Sequence, residues 1–374
     1  MIYLDNAATG GFKPSSVFSS AENVSRHLLA NPGRSGHRLS VVGAQIVYDT
    51  RKIIADKFDA SPERVIFTAN CTESLNLAIL GSVKKGGHVI TTVHEHNSVL
   101  RPLYHLKQRG DISLSILSCP LCKLPIEIEK SINENTYMVA VTGASNVTGE
   151  VAPVNEIGKI CADNNLLFLC DGAQAGGHLP LSVKKDNLSF LALAGHKGLY
   201  STMGVGVLIL SENANLSPIL FGGTGTDTFN LSQPDFYPER LECGTLNLPA
   251  IASLFEGVRY ATDNVTLFSN TLKARTETVI NTMSRYNGVR CFSFPNPCGI
   301  VSFEINSKPS TEVADLLSTR YDIAVRGGFH CAPLIHKHLQ TDTDGLVRVS
   351  ISPQNSTREI NAFLSAIKDI TKSF

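Results

Sequence analysis

Lys197 stands in a stretch that reads FLALAGHKGLYSTMGVGVLIL from Phe190 to Leu210. Two short apolar runs in it, 190–194 and 205–210, predict buried strands joined by a glycine-rich turn that carries the lysine. A lysine at the mouth of buried strands is partly desolvated, which lowers its pKa and makes the neutral amine available for imine chemistry. A solvated loop lysine is the alternative, so the rest of the chain has to decide.

Cys331 is a second reactive candidate, in the glycine-rich segment RGGFHCAP that begins at Arg326. A thiol flanked by a histidine and near an arginine is expected to have a lowered pKa and to be nucleophilic. A buried, inert cysteine is the alternative. Arg348, in the strand-like segment GLVRVSIS, offers a forked guanidinium for a carboxylate, and a surface ion pair is its alternative.

Polar residues follow several predicted strands. The strand-like run 65–69 leads into Asn70 and Glu73, which have the spacing of a capping box, and the first helical amides together with Thr72 would form an anion site. A simple helix cap is the alternative. Asp171 ends another apolar run, where ligands bind in open α/β sheets; an ordinary turn residue is its alternative.

Two short clusters could suggest a metal site. His94 and His96 could share a face at a strand end, but two ligands make a zinc site only if others join them. Stacking or polar roles are therefore preferred for these histidines. Cys119 and Cys122 form a single CxxC without a second pair, which favours an incidental spacing. We predict no metal.

Alternating strand and helix patterns from about residue 40 to 210 predict an α/β fold with a mainly parallel central sheet flanked by helices. A chain of 374 residues is long enough for a second, smaller core. We therefore expect a large domain over residues 16–256, and a smaller α+β C-terminal domain made of residues 1–15 and 257–374 that carries the Cys331 loop.

The charge composition argues against nucleic-acid and membrane partners. Lys and Arg number 33, as do Asp and Glu, so no overall field attracts polyanions. The N-terminus has no signal-like pattern, and no run of 18 or more apolar residues occurs. Nine cysteines without framework spacing fit a reducing compartment. We expect a cytoplasmic protein.

A series of motifs runs along essentially the whole chain: YLDNAAT at 3–9, CTESLNLAI at 71–79, HEHN at 94–97, ASNVTGEVAPV at 144–154, CDGAQAGGH at 170–178, AGHKGLYSTMGVGVLIL at 194–210, PERLECGTLN at 238–247, RGGFHCAPL at 326–334 and VRVSISPQNS at 347–356. Together and in this order, these motifs resemble those of the cysteine desulfurases, members of the class V aminotransferase family of pyridoxal phosphate (PLP) enzymes. No single motif would be sufficient for the resemblance. The resemblance implies the PLP-dependent transferase fold of type I.

The resemblance also implies cofactor roles. Lys197 would hold PLP as a Schiff base and then move protons at the substrate α-carbon. Asp171 would pair with the pyridinium nitrogen, Gln174 would hydrogen-bond the phenolic oxygen, and His96 would stack on the ring. Thr72 and His196 would hold the phosphate, with Thr226 reaching across from the partner subunit of a homodimer.

The substrate roles follow in the same way. Asn146 and Arg348 would orient the carboxylate of L-cysteine, and Cys331 would attack its sulfur, keeping a persulfide and releasing L-alanine. The FHCAP segment is similar to the short-loop type of the family, which implies a sulfur-acceptor protein because a short loop cannot carry its sulfur far.

Two departures from the family pattern stand out. Ala194 replaces a frequent phosphate-contacting Ser, and Gln354 replaces a frequent aromatic residue. The first is expected to weaken or rearrange phosphate binding, and the second to alter the substrate pocket. Selenocysteine lyase or cysteine sulfinate desulfinase activity is the nearest alternative function. A class V aminotransferase or epimerase is a more distant one.

Overall fold

The computed structural model describes residues 1–28, 30–305 and 308–372. Its α-helices are α1 Ser15–His27, α2 Arg38–Phe58, α3 Cys71–Gly81, α4 Asn97–Gln108, α5 Leu124–Ser131, α6 Val154–Asp163, α7 Leu248–Met283, α8 Ser310–Tyr321, α9 Pro333–Leu339 and α10 Thr357–Lys372. Its strands are β1 Ile2–Tyr3, β2 Val65–Thr68, β3 Gly87–Thr92, β4 Ile112–Leu117, β5 Thr136–Thr142, β6 Leu167–Asp171, β7 Phe190–Ala194, β8 Gly206–Leu210, β9 Val289–Cys291, β10 Ile300–Ile305, β11 Ile323–Ala324 and β12 Val347–Ser350. Short 3₁₀ turns cover Pro62–Arg64 and Leu121–Lys123.

The central sheet has seven strands in the order β2-β8-β7-β6-β5-β3-β4. The run from β7 to β4 is parallel, and β8 alone reverses direction between its neighbours β2 and β7. Parallel strands are buried on both faces, which explains why these segments are nearly continuous apolar runs. The predicted mainly parallel sheet flanked by helices is confirmed.

Each face of this sheet has its own core, as β7 shows. Phe190 and Ala192 point into the core formed with α3 and α4. Leu191 and Leu193 point into the opposite core, formed with α1, α2, α5, α6 and the first half of α7. This alternation follows from the two-residue period of a strand. The sheet is thus clamped from both sides, which holds its strand ends in fixed positions.

A smaller antiparallel sheet, β12-β10-β9, lies in the C-terminal part of the chain. It packs with α8 and α10 in a separate apolar core, which the N-terminal residue Leu4 joins. A capping box starts α10, because Glu359 N donates to Ser356 Oγ and Ser356 N donates to the Glu359 carboxylate.

Helix α7 runs for 36 residues and contributes to both parts of the molecule. Its side chains as far as Phe268 pack in a core of the large sheet, and those from Leu272 onward pack in the smaller core. The division into 16–256 and its complement stays a prediction. Within the described ranges, neither α7 nor any other helix combines the length and apolar character needed to cross a membrane.

The turn between β2 and α3 is fixed by a modified capping box. The Asn70 side chain accepts a hydrogen bond from Glu73 N at 3.0 Å, as the spacing predicts. The Glu73 carboxylate, however, accepts from Ala69 N at 2.6 Å, one residue earlier than the standard pattern. Gly206 permits this arrangement, since a Cβ there would lie 2.3 Å from the Asn70 carbonyl carbon.

A buried ion pair between Arg51 and Glu242 packs against the backbone of β2. The Arg51 guanidinium contacts the Glu242 carboxylate, and both side chains are 8% exposed. Arg51 also donates to Val65 O, and Glu242 accepts from Phe67 N at 2.6 Å. Both charged groups therefore depend on each other and on the β2 backbone.

Removing one partner of this pair should destabilise the fold strongly. In Arg51→Met, the Glu242 carboxylate stays buried without its counterion, so the free energy of unfolding is expected to fall by about 3–5 kcal/mol. Urea unfolding would measure the change. Arg26→Met is the matched control, because Arg26 pairs with Glu22 on the surface and its loss should change stability by less than about 1 kcal/mol. Equal losses in the two variants would contradict this view of the pair.

Candidate active site

The carboxyl ends of the parallel strands meet around one cavity of about 230 Å³. Its lining includes His96 after β3, Asn146 after β5, Asp171 at the end of β6 and Lys197 after β7. Thr72, from the first turn of α3, completes this side. Ligands bind at this edge in open α/β folds, so the cavity lies where the topology favours a site.

The opposite wall comes from the C-terminal part of the chain and includes Arg326, His330 and Arg348. Arg348 is 1% exposed. Its Nη1 donates to Asn146 O at 3.0 Å and its Nη2 donates to Asp5 Oδ1 at 2.9 Å. Its Nε is buried without a partner in the described part of the chain. The guanidinium is thus held firmly while keeping donor capacity for a carboxylate.

Most of the predicted site residues line this one cavity. They are Thr72, His96, Asn146, Asp171, Gln174, His196, Lys197 and Arg348. Cys331 lies on an adjoining open groove, whose lining shares Thr72, His96 and Ser98 with the cavity. Thr226 lies in neither and instead lines a separate cavity near Arg34. The individual roles stay predictions.

Desolvation dominates the electrostatics of Lys197. Burial lowers the pKa of its amine, Arg348 and Arg326 lower it further, and the carboxylate of Asp171 partly opposes them. The neutral amine is therefore more accessible than in a surface lysine. This agrees with the direction expected from two buried flanking strands.

Asp171 has a neighbour that its sequence context did not reveal. The Cys71 thiol lies 3.8 Å from Asp171 Oδ1, which also accepts a hydrogen bond from Ala173 N at 2.9 Å. Burial and the nearby carboxylate raise the pKa of Cys71 well above its usual value, so it stays a neutral donor. Only the fold brings this residue, 100 positions away, to the carboxylate.

Glu95 is a second buried acid near Asp171. It is fully buried, and it accepts from Thr92 Oγ1 at 2.6 Å and from Thr142 N at 3.1 Å. Burial raises the pKa of Glu95 to about 8, and Asp171 adds to the effect. A protonated Glu95 adds no second negative charge beside Asp171.

The three histidines around the cavity are held neutral. Burial lowers the pKa of His96, and it lowers that of His196 to about 4 and that of His330 to about 2. His330 Nε2 donates to Leu346 O at 3.0 Å. The sequence suggested that a histidine would flank the thiol as an activating group, but a neutral His330 bonded to a carbonyl supplies no positive charge.

Arg326 is the group that contacts the thiol, with Nη2 lying 3.8 Å from Cys331 Sγ. The thiol sits in a tight turn, because His330 and Cys331 both have positive φ, 49° and 58°. The Cys331 carbonyl accepts from Asn97 N at 2.7 Å, which anchors the turn on the start of α4. The exposed sulfur therefore has a fixed backbone beneath it and a cation beside it.

The two departures from the family pattern occupy different places. Ala194 lines the cavity and brings no hydroxyl to it. Gln354 lies outside that cavity, where its Nε2 donates to Tyr260 Oη at 2.9 Å. The paired histidines also have ordinary partners, since His94 Nε2 bonds Cys119 O at 2.9 Å. In the described ranges, no group of three His, Cys, Asp or Glu residues is arranged to hold a metal ion.

A family model described as aminotransferase class-V matches residues 2–363. The chain belongs to the class V aminotransferase family. A probable cysteine desulfurase from Pyrococcus abyssi is 32% identical, with 100% of this chain and 95% of the relative covered. Another from Methanothermobacter thermautotrophicus is 32% identical, covering 99% and 94%. The solved structure of a cysteine desulfurase from Thermococcus onnurineus superposes with a TM-score of 0.92 at 31% identity, covering 100% and 95%. These findings confirm the predicted resemblance and fold class.

Class V aminotransferases depend on PLP, and the cavity fits the groups of that cofactor. The desolvated amine of the half-buried Lys197 suits its aldehyde, and the buried carboxylate of Asp171 suits its ring nitrogen. The Thr72 hydroxyl and the first amides of α3 suit its phosphate. His196 Nδ1 is buried without a partner in the described part of the chain, so it too has capacity for a ligand.

The pKa of Lys197 should be visible in the pH dependence of stability. In the folded chain this pKa is lowered from the ordinary value of 10.5. At pH values between the lowered pKa and 10.5, Lys197 therefore binds a proton in the unfolded chain but not in the folded chain. Raising the pH through that window therefore favours folding. We expect the unfolding midpoint of the cofactor-free wild type to rise relative to that of Lys197→Met as pH is raised from neutral to about 10. Thermal scans at stepped pH would measure it.

Lys159→Met, which removes an exposed lysine from α6, serves as the control and should follow the wild type. Parallel curves for wild type and Lys197→Met would contradict the desolvation of the amine.

Proposed function

We propose that this protein is a PLP-dependent cysteine desulfurase that converts L-cysteine to L-alanine and keeps the sulfur as a persulfide on Cys331. The observation that carries the proposal is the position of the exposed Cys331 thiol. It lies on a groove that shares Thr72, His96 and Ser98 with the cavity of Lys197. An amine and a thiol thus face neighbouring spaces, as a reaction on both Cα and Sγ of one small substrate requires.

The cofactor would be held by residues that already line the cavity. Lys197 would bond its aldehyde carbon, Asp171 its ring nitrogen and Gln174 its phenolic oxygen, with His96 against the ring face. Gln174 keeps this capacity, since only one hydrogen of its Nε2 is used by Ala7 O, at 2.9 Å. When bound, PLP supplies an electron sink for the bonds at the substrate α-carbon.

Substrate orientation would fall to Arg348 and Asn146. Asp5 and Asn146 O hold the Arg348 guanidinium in place, and the Asn146 amide donates to His330 O at 2.8 Å. A substrate carboxylate at Arg348 would place the α-carbon toward Lys197, whose neutral amine can take and return the α-proton.

Sulfur transfer would occur at Cys331. Its sulfur, which lies beside the Arg326 guanidinium, attacks the substrate sulfur; an S–S bond forms and the substrate Cβ–S bond breaks. The electron pair of the broken bond stays with the carbon skeleton, which gains a proton at Cβ and leaves as alanine. L-cysteine and the enzyme thiol thus become alanine and an enzyme persulfide.

Replacing the thiol should stop this reaction. In Cys331→Ala no sulfur acceptor remains at the groove, so we expect alanine formation from L-cysteine to fall at least about 100-fold. Alanine and sulfide assays would measure it. Cys122→Ala, which removes another exposed thiol, should keep wild-type turnover. Full turnover by Cys331→Ala would reject the desulfurase.

The same pair of variants separates the alternative functions. A selenocysteine lyase or cysteine sulfinate desulfinase would process selenocysteine or cysteine sulfinate with little dependence on Cys331, because those leaving groups depart more easily. An aminotransferase or epimerase would yield an amino-transferred cofactor or racemised substrate.

A sulfur-acceptor protein is part of the proposal. Pro333 starts α9 two residues after Cys331, and the Cys331 carbonyl is bonded to Asn97 N. Such a short anchored turn cannot move its sulfur far, so the acceptor would have to approach the groove.

We also propose a homodimer in which Thr226 reaches the partner's phosphate site. Thr226 lies in a segment whose apolar side chains are open to solvent. Phe229 and Leu231 are fully exposed and Phe221 is 74% exposed. Side chains of this kind, clustered in one segment, mark an interface.

The dimer predicts that Phe229→Glu lowers the sedimentation mass toward the monomer, because a charge would be buried in the apolar interface. It should weaken PLP binding as well, through the loss of the partner's Thr226. The matched control is Phe294→Glu, at an aromatic residue that is 77% exposed elsewhere. A Phe229→Glu protein with unchanged mass and unchanged PLP affinity would reject the interface.

Two further expectations from the sequence stay proposals. One is the division into a large domain, 16–256, and a small domain, 1–15 with 257–374. The other is a cytoplasmic location, supported by the nine cysteines, which are all free thiols.

A further inference from the structure

Ser98 touches two residues with different predicted tasks. It is the second residue of α4, and its Oγ lies 2.8 Å from Thr72 Oγ1 and 2.9 Å from His96 Nδ1. Thr72 is predicted to hold the cofactor phosphate and His96 to contact its ring. Ser98 lines the cavity beside both of them. It therefore joins the phosphate end of the site to the ring end.

The N-cap of α4 determines which nitrogen of His96 carries the hydrogen. His96 Nδ1 accepts a hydrogen bond from Ser98 N at 3.0 Å and so caps the helix. Burial lowers the pKa of His96, so the ring is neutral. In a neutral ring with an accepting Nδ1, the hydrogen is on Nε2. In its contact with the Ser98 hydroxyl, Nδ1 can therefore act only as an acceptor.

The number of hydroxyl hydrogens limits the directions in which the Thr72–Ser98–His96 hydrogen bonds can run. Thr72 and Ser98 have one hydroxyl hydrogen each, and there are two short gaps to fill. Without an anion, Thr72 donates to Ser98 and Ser98 donates to His96. If an anion accepts the Thr72 hydrogen, Thr72 can no longer donate to Ser98. Ser98 then turns its hydrogen to Thr72 Oγ1, and His96 Nδ1 loses that bond.

The hydrogen bond between Ser98 and Thr72 also compensates for the hydroxyl that Ala194 lacks. A hydroxyl at that position would serve the phosphate directly, and Ala194 provides none. A Thr72 hydroxyl that receives a hydrogen bond from Ser98 is a stronger donor to an anion, because hydrogen bonds in a chain polarise one another.

We infer that Ser98 is a positioning residue that couples the two ends of the site: an anion bound at Thr72 reverses the Thr72–Ser98–His96 hydrogen bonds and leaves the Ser98 amide as the hydrogen-bond donor to His96 Nδ1. The inference rests on the proposed function in that the natural anion would be the PLP phosphate. The coupling itself belongs to the protein and needs only a phosphate group.

The test uses the full chain without PLP, inorganic phosphate as the probe, and ring-¹⁵N-labelled histidine. Calorimetry reports phosphate binding, and the His96 signals are assigned by their loss in His96→Gln. In the wild type, saturating phosphate should move the His96 Nδ1 signal toward that of a less hydrogen-bonded acceptor. In Ser98→Ala, the signal should start near that position, and phosphate should move it less than about half as far.

Two further variants distinguish the relay from a structural effect. Ser98→Thr keeps the hydroxyl and should restore the phosphate-induced shift. Thr72→Val removes the anion-facing hydroxyl, so phosphate should leave the His96 signal unmoved. Ser113→Ala, which removes a hydroxyl outside the cavity, should behave as wild type.

Equal phosphate-induced shifts in wild type and Ser98→Ala would overturn the relay while leaving the phosphate site in place. Failure of the wild type to bind phosphate would instead overturn the cofactor assignment on which the relay rests.

Discussion

Desolvation of the Lys197 amine is the constraint on which the rest of the site depends. Its pKa is lowered because the turn that carries it follows a strand buried on both faces. Arg326 and Arg348 add positive charge, and Asp171 partly offsets them. Because the sheet is covered on both sides, this strand end is poorly solvated, which favours the neutral form of the amine over the charged form. The cores therefore serve the chemistry as well as the fold.

The two parts of the chain are joined by hydrogen bonds to backbone carbonyls. Asn97 N donates to Cys331 O, the Asn146 amide donates to His330 O, and Arg348 donates to Asn146 O. Each bond links the carboxyl edge of the large sheet to the C-terminal part of the chain. These bonds hold the backbone of the turn that carries Cys331 against the edge of the sheet where Lys197 lies.

The sequence was sufficient for the strands of the large sheet and for most of the cavity lining, whereas α5, α9, β9 and β11 were not predicted. Strand β7 coincides with the apolar run 190–194, because continuous apolar residues bounded by glycine have few other solutions. Contacts between distant segments could not be read in the same way. Cys71 beside Asp171 depends on tertiary placement, and a neutral His330 depends on burial. Sequence spacing gives the identity of neighbours along the chain, but it does not give the solvent exposure that sets their charge.

In the proposed reaction, one substrate molecule transfers its sulfur to the Cys331 thiol on the groove while its carbon skeleton stays in the cavity of Lys197. Peptide mass measurement after incubation of the PLP-loaded protein with L-cysteine, without reductant, tests it most directly. We expect one added sulfur atom on the peptide that contains Cys331, with an equal amount of alanine. Alanine formed without any sulfur on Cys331, or with the sulfur on another cysteine, would contradict it.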